Sequence, residues 1–580
     1  MRIGQARRRS AAVTPQFRQP LHPLLQQILA ARGVSHDEQV QLPLASLLPP
    51  DSLKGMVASV ALLQQALHSN LRVLIVADYD ADGATSCALA ILGLRAFGFV
   101  HVDYLVPNRF EFGYGLTPPI VELARARRPD VLITVDNGIA SHAGVAIARQ
   151  YGMQVLVTDH HLPAETLPDA NAILNPNQGG CDFASKALAG VGVVFYLLLG
   201  LRKALREEQW FVQSGRTEPN LANLLDLVAL GTVADVVPLD ENNRRLVKHG
   251  LMLIRQGRAR PGILALLACA GRNAATCVAS DLGFAAGPRL NAAGRLDDMA
   301  LGIECLLSGD AMHARAMAEQ LDALNKDRRL IEQDMQQAAL RQLDELPLDD
   351  RPRYSLCLYD ARWHQGVIGI VASRLKDKLH CPVLIFADAG VDDEGRDLLK
   401  GSARSINGAH MRDLLDIVAT RNPGLLEKFG GHAMAAGLTL LKMRFDDFAA
   451  AFDHAVRVTV AEETLARELW TDGNLDVGCF TVSFAEQLRN LAPWGQHFPE
   501  PLFDDEFIVH ARRVLAERHL KLTVSLPGSN QRLDAIAFNQ NPAVSEGSAM
   551  RVRLLYKLDI NDYRGETTPQ LIVEQLQFLP

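Results

Sequence analysis

The sequence predicts an α/β protein: a parallel-sheet lobe and a second α/β lobe joined by a long helix, followed by a small all-β barrel. Three observations predict it. From about residue 51, short and continuously apolar runs alternate with helical patterns, as strands buried on both faces of a parallel sheet do. From Asp310 to about 345 there is no glycine, and Ala, Leu, Gln and charged residues dominate, which makes one long helix over 309–345. Beyond about 465 the chain changes to short runs of alternating apolar and polar residues, the period of strands with one face in a core.

Each element follows in order. Residues 1–50 are Pro-rich and basic, with six Arg against Asp37 and Glu38, and read as an irregular extension packed on another part of the chain. A strand over 71–77, a helix over 84–97 and strands over 131–135 and 154–158 make the first lobe, spanning 51–308. After the connector helix, strands near 354–359 and 383–386 open a second α/β lobe over 346–464. Strands over 520–526, 533–538, 550–558 and 570–575 assign 465–580 to a barrel of OB-like type.

Composition narrows the class. Of 580 residues, 48% are hydrophobic and 22% charged, enough for several packed cores, which excludes a disordered chain. The net charge of −7 speaks against binding nucleic acid by bulk charge, although a local basic groove suffices for it. The 8 cysteines contain no C-x-x-C pair, so reduced core thiols are expected rather than a zinc site or a disulfide framework. The apolar stretch 187–201 is shorter than the ~20 residues of a membrane span and carries Gly190, Gly192 and Gly200, so it is expected as a buried helix. No apolar signal core follows the Arg-rich start, and a cytoplasmic protein is expected. There is no Gly-Lys dipeptide and hence no Walker A loop for ATP.

Polar residues follow each strand of the first lobe directly. Asp78, Asp80 and Asp82 crowd into five residues after the first strand, an arrangement that divalent cations would relieve of its repulsion. An EF-hand loop begins similarly but needs Glu at its twelfth position, which here is Leu89. Asp136 follows the second strand, Asp159-His160-His161 the third, and Asp235 an apolar helix. One such Asp alone is an ordinary turn former or helix cap. Four such clusters in one lobe read as a metal centre, and carboxylates with one imidazole suit Mn²⁺ or Mg²⁺. Two ions about 3.5–4 Å apart are a recurring apparatus for phosphoester hydrolysis.

The ordered set DYDADG at 78–83, VDNG at 135–138, DHH at 159–161 and GTVADVVPL at 231–239 resembles the motifs of the DHH phosphoesterase superfamily. The resemblance continues through GPRLNAAGR at 287–295, WHQGVIG at 363–369, GSARS at 401–405 and GGHAMAAG at 430–437, with PWGQHFPEPLF at 493–503 beyond. It implies a DHH catalytic domain, a DHHA1-type substrate-binding domain and an OB-like domain, and a single-strand-specific 5′→3′ DNA exonuclease that releases mononucleotides. Asp80, Asp82, Asp136, His160 and Asp235 would hold two divalent cations, with Asp82 or Asp136 shared between them. Asp78 would stand beside them. His161 would face the scissile phosphate and Asp159 would orient the histidines.

Substrate contacts are implied at an Arg289, Asn291 and Arg295 cluster, since guanidinium groups fit phosphate. Others are implied at Ser402, Arg404 and neighbouring Ser405, and at a Gly430-Gly431-His432 turn whose amides could cradle phosphate. Trp363 or His364 is a candidate for base stacking, with a core position the competing reading for Trp363. In the barrel, Arg512, Arg513, Arg518, His519 and Lys521 lie near Phe503, Phe507 and Phe538, the residue types of single-strand binding, although a core role is the commoner fate of a Phe.

The implied biology is DNA recombination and repair, including mismatch repair. The implied partners are single-stranded DNA and a single-strand-binding protein, with a monomer that needs no membrane. Two alternatives stay open at this point: another DHH phosphoesterase (an oligoribonuclease, pyrophosphatase or cyclic-dinucleotide phosphodiesterase), or an inactive scaffold relative.

Overall fold

The computed structural model describes residues 6–108, 111–345, 354–465, 468–540, 551–563 and 565–579. Apart from the first few residues, the chain divides into two compact units, Arg8–Asn325 with Trp470–Pro580, and Lys326–Leu469.

The extension is more ordered than its composition suggested. Helix α1, Pro23–Ala30, starts on proline and buries Leu25, Ile28 and Leu29. Proline suits the first helical position, where its missing N–H costs nothing. Just beyond, Arg32 makes a bidentate pair with Asp472 (2.7 and 3.0 Å) and donates to the Pro499 carbonyl at 2.8 Å. The extension is thus fastened to the segment that leads into the barrel.

The first sheet contains β1 (Val73–Ala77), β2 (Val102–Leu105), β3 (Val131–Val135), β4 (Gln154–Thr158) and β5 (Ala172–Leu174). All pairings are parallel, in the order β2-β1-β3-β4-β5. Alternation along β1 sends Val73, Ile75 and Ala77 into the main core and Leu74 and Val76 into a second cluster on the opposite face. Both faces are covered, so the run is continuously apolar. Helices α2 (Ala81–Phe97), α3 (Gly190–Glu207), α4 (Leu225–Ala234) and α5 (Gly287–Leu296) serve this sheet and its carboxyl edge. The stretch 187–201 falls mainly in α3, whose first half is buried. Helix α6 runs Ala311–Glu345.

In the second unit, β6 (Leu356–Tyr359), helix α7 (Ile368–Leu379), β7 (Val383–Val391), β8 (Asp397–Arg404), β9 (Lys428–Gly431) and β10 (Ala435–Leu441) form a mixed sheet with its flanking helix. The strand order is β9-β10-β8-β7-β6, and only β6 and β7 are parallel. Val383, Ile385 and Ala387 face one core and Leu384 and Phe386 the other.

The barrel closes in the order β11-β12-β13-β15-β14, from β11 (Phe503–Leu515), β12 (His519–Ser525), β13 (Leu533–Ala537), β14 (Arg551–Tyr563) and β15 (Glu566–Leu579). This is the five-stranded OB arrangement. The sequence pattern missed β11 because its outer half carries charge on consecutive residues, Arg512 and Arg513, and is exposed. The inner face of the barrel belongs to the same apolar core as the first sheet. Among the described residues no helix is long and apolar enough to cross a membrane. All eight cysteines are buried or half-buried.

Candidate metal centre and substrate groups

The chain lays down β1, crosses to β2 on one side and returns to β3 on the other. Ligands of such sheets bind beyond the carboxyl ends at the point where the order reverses, here between β1 and β3. β1 hands the chain to Asp78 and then to Asp80, whose Oδ1 accepts the Gly83 N–H at 2.9 Å and caps α2. Gly83 is required there, because a Cβ would overlap the Asp78 carbonyl. The first turn of α2 directs Asp82 inward, 1% exposed. Its two oxygens accept the Gly190 and Val191 N–H groups at 2.5 and 2.9 Å. The start of α3 thereby holds a carboxylate, as unpaired N–H groups at a helix start favour.

β3 hands the chain to Asp136, buried and in the left-handed region at φ 62°, a conformation that Asp adopts more readily than most residues. Gly190 makes room for it, since a Cβ at 190 would lie 2.7 Å from the Asp136 Cβ. β4 leads into Asp159-His160-His161, and Asp235 is the C-terminal cap of α4. These ends converge. Ligand atoms gather within 4.8 Å in three sets: Asp78, Asp80 and Asp136; Asp82, His160 and Asp235; and Asp136, His160 and His161. The His160 Nε2 stands 3.1 Å from Asp136 Oδ1, 3.6 Å from Asp235 Oδ2 and 4.0 Å from Asp82 Oδ2.

The electrostatics fit cations. Burial, then the charges of Asp235 and Asp80, push the Asp82 carboxyl up to about 7, although His160 pulls the other way. Burial and Asp80 push Asp235 to about 7 as well, and burial with Asp82 and Asp80 raises Asp136. Burial and neighbouring His161 hold the His160 imidazole below its ordinary value, which keeps a lone pair available. Asp136 Oδ1 and His160 Nε2 are buried without a hydrogen-bond partner. Crowded oxygens and one neutral imidazole nitrogen, with such atoms orphaned, form a donor set for Mn²⁺ or Mg²⁺.

Asp159 stands outside the three sets and does different work. Its Oδ1 accepts the backbone N–H groups of His160 (2.7 Å) and His161 (3.1 Å) and the His161 ring Nδ1–H (2.7 Å), while Oδ2 accepts the Ile139 N–H at 2.9 Å. Burial alone would lower the His161 pKa, but the Asp159 bond and charge outweigh it and raise the group to about 9.

Three residues here went unread in the sequence. Asn175 Nδ2 donates to the His161 carbonyl at 2.9 Å and Asn177 Nδ2 to the His160 carbonyl at 2.6 Å. They follow the short β5, so one more polar strand end was the available signal. The Tyr114 hydroxyl donates to the Asp136 carbonyl at 3.2 Å and lies 3.1 Å from His161 Nδ1, and a lone loop tyrosine carries no sequence signal.

On α5 the expected cluster divides. Asn291 Oδ1 accepts the Ala81 N–H at 2.8 Å, beside the acids, and Arg295, four residues on, shares its face. Arg289 lies about 200° round the helix from Asn291. It is 6% exposed, pairs with Asp322 at 2.6 Å and donates to the Ala285 carbonyl at 2.8 Å. Two residues of helix rotation separate what adjacency in sequence had joined.

In the second unit, Arg404 Nη1 donates to Ser402 Oγ (3.1 Å) and to the Ala403 carbonyl (2.8 Å). Gly369 leaves room for both, since a Cβ there would lie 2.8 Å from Ser402 Oγ and 2.9 Å from Arg404 Nη2. Gly430 and Gly431 are not a turn. They close β9, paired with Gly437 and Ala436 of β10, and the chain reverses after them, where the His432 N–H donates to the Ala435 carbonyl at 2.8 Å. They pair in the ladder with β10 along one side of an edge strand, and Gly430 and Gly437 form a row without side chains that leads to Ser402 of β8. Ser405 is buried with its hydroxyl on the Ala409 carbonyl at 2.5 Å, a structural role and not a clamp. Trp363 is 6% exposed in the core. In the barrel Phe503 and Phe507 are core residues, whereas Phe538 is exposed against His519.

The comparisons with known proteins agree with this geometry. Residues 72–232 match the DHH family, N-terminal domain, residues 354–458 the DHHA1 domain and residues 471–575 the RecJ OB domain. The single-stranded-DNA-specific exonuclease RecJ of Dickeya dadantii is 52% identical over 99% of both chains. Crystal structures of RecJ from Thermus thermophilus in complex with Mn²⁺ and with Mg²⁺ superpose with TM-scores of 0.76 and 0.72. Each covers 96% of this chain, at 30% and 28% identity, and the match spans 76% and 74% of those chains. With full-length identity above one half and these three domains in order along it, the chain belongs to the RecJ family of single-stranded-DNA-specific exonucleases.

Proposed function

We propose that this chain is a metal-dependent hydrolase that degrades single-stranded DNA from the 5′ end, releasing mononucleotides. The observation that carries the reading is the convergence of Asp78, Asp80, Asp82, Asp136, His160 and Asp235 on the switch point, with two buried donor atoms left without a hydrogen bond. Divalent cations held there supply charge for the reacting phosphate oxygens and acidify a water.

The chain's own residues do the rest. Asp80, Asp82, Asp136, His160 and Asp235 would hold two cations. Asp136 belongs both to the set with Asp78 and Asp80 and to the set with His160 and His161, and Asp82 to the set with His160 and Asp235. His161, fixed through Nδ1 by Asp159 and about a third exposed at its side chain, donates to a phosphate oxygen where charge develops. Asn291 fixes the start of α2, and Arg295 on the same face reaches for phosphate. Arg289, paired to Asp322, supports that helix. Arg404, Ser402 and His432 grip the backbone of the strand along the bare row of Gly430 and Gly437, Gly431 giving the close approach of β9 to β10.

The setting we propose is DNA recombination and repair in the cytoplasm, as a monomer acting with a single-strand-binding protein. A time course on 5′- and 3′-labelled single strands with Mn²⁺, with Mg²⁺ and with chelator tests substrate, polarity and cation together. Early release of labelled mononucleotide from the 5′-labelled strand alone, abolished by chelator, is the expected result. Release from the 3′ label first would overturn the polarity, and activity in chelator would overturn the metal centre.

A further inference from the structure

Asp235 caps the C-terminus of α4, and the segment after it is held in an unusual way. Val236 has φ 63° and is 62% exposed, a backbone state that a β-branched residue keeps only where its surroundings impose it. The chain then runs through Val237 and Pro238 to Leu239, and two anchors hold it. Asn243 Nδ2 donates to the Pro238 carbonyl at 3.0 Å, and the Leu239 N–H donates to the Gln496 carbonyl at 2.8 Å.

Gln496 belongs to the 493–499 loop that precedes the barrel. That loop is stiff. Gly495 and Phe498 exchange backbone bonds of 2.9 and 3.1 Å, Trp494 stacks on Phe498 at 5.2 Å, and the Trp494 Nε1–H donates to the Leu488 carbonyl at 2.9 Å. Arg244 lies 4.1 Å over the Phe498 ring and Arg32 5.4 Å over Trp494. Gly495 permits the approach to the Asp235 segment, since a Cβ there would lie 2.7 Å from Leu239 Cδ1. Leu239 is 3% exposed, and its side chain lies between Gly495 and a cavity that it helps to line. That cavity, of about 390 Å³, is lined also by Val233, Val236 and Val237 and by Trp494, Gly495 and Gln496. Beside this cavity the segment meets the loop at Leu239, through the backbone bond to Gln496 and the close approach of Gly495.

We infer that the 493–499 loop is a positioning element for Asp235: it fixes the turn at Val236 and so the direction in which the Asp235 carboxylate enters the metal centre. The barrel segment then serves the chemistry as well as any contact with DNA. The inference rests on Asp235 being a cation ligand.

The test is Mn²⁺ binding to the full chain, followed by electron paramagnetic resonance, together with steady-state kinetics on single-stranded DNA. Gly495→Val crowds Leu239 and is expected to weaken Mn²⁺ binding roughly tenfold, as loss of an orienting partner does. It should lower kcat with KM for DNA unchanged and leave the circular dichroism spectrum intact. Leu239→Ala in the same chain makes space for the added methyl groups and is expected to restore most of the Mn²⁺ affinity. If Gly495→Val does not fold, Gly495→Ala is measured in the same way for a smaller shift. Unchanged Mn²⁺ binding in a folded Gly495 variant, or no rescue by Leu239→Ala, overturns the inference. Asp235→Asn separates the two levels. If it weakens Mn²⁺ binding while the Gly495 variants do not, only the positioning role fails. If it binds Mn²⁺ normally, the ligand reading fails and the inference with it.

Discussion

In the parallel sheet of the first unit, the proposed functional side chains stand beyond the strand ends. In the mixed sheet of the second unit, the proposed ones stand on a strand's face. Strand ends collect charge of one sign at the point of reversal, where α2, α3 and α4 also begin or end, and Asp82, Asp136 and Asp235 are buried together at a cost that raises their pKa values and that divalent cations would relieve. The face of β8 offers the opposite chemistry. Arg404 is steadied by its neighbour Ser402 and bordered by a row without side chains at Gly430 and Gly437. One region is built to concentrate charge and the other to leave room, and substitutions should affect them differently.

The largest expected effect is at the strand ends. Asp136→Asn keeps the shape and tolerates the left-handed backbone, but removes a charged donor. It should lower the single-turnover rate by roughly 10³-fold or more while single-strand binding persists. Because one of several crowded anions is gone, the metal-free protein should melt higher, by about 1 kcal/mol of stability. A variant that still cleaves, or melts lower without metal, breaks the contrast.

Arg404→Ala should act on binding. Loss of a charge-assisted contact predicts a fall in kcat/KM of roughly 10–100-fold, mostly in KM, and a salt dependence of binding shallower by about one ion. A change confined to kcat would move Arg404 from the grip on the strand to the reaction itself.

The smallest expected effect on the reaction is at Arg289. Removing it takes away the guanidinium that pairs with buried Asp322, so Arg289→Ala should cost about 3 kcal/mol of stability, read as a lower urea midpoint. A normal midpoint with a raised KM would instead return Arg289 to the substrate side.

Reading the chain alone located the acids because strand-end polarity is local: Asp78, Asp136 and Asp159 each follow an apolar run directly. It failed where the decisive relation was rotational or non-local. Helix rotation separates Arg289 from Asn291, strand pairing turns Gly430 and Gly431 from a turn into the end of β9, and β5 was too short to draw attention to Asn175 and Asn177.

The sequence by itself determined the class of each domain and the residue types of the metal centre, because period and apolar runs are properties of neighbours along the chain. Only the tertiary structure decided which of those residues meet. It brought Asp235 within reach of His160 across some 75 residues of sequence, gave Asp82 to the start of α3, and tied the turn after Asp235 to a loop from the far end of the chain. Such contacts depend on strand order and close approach of backbones, and neither is written in the pattern of any one segment.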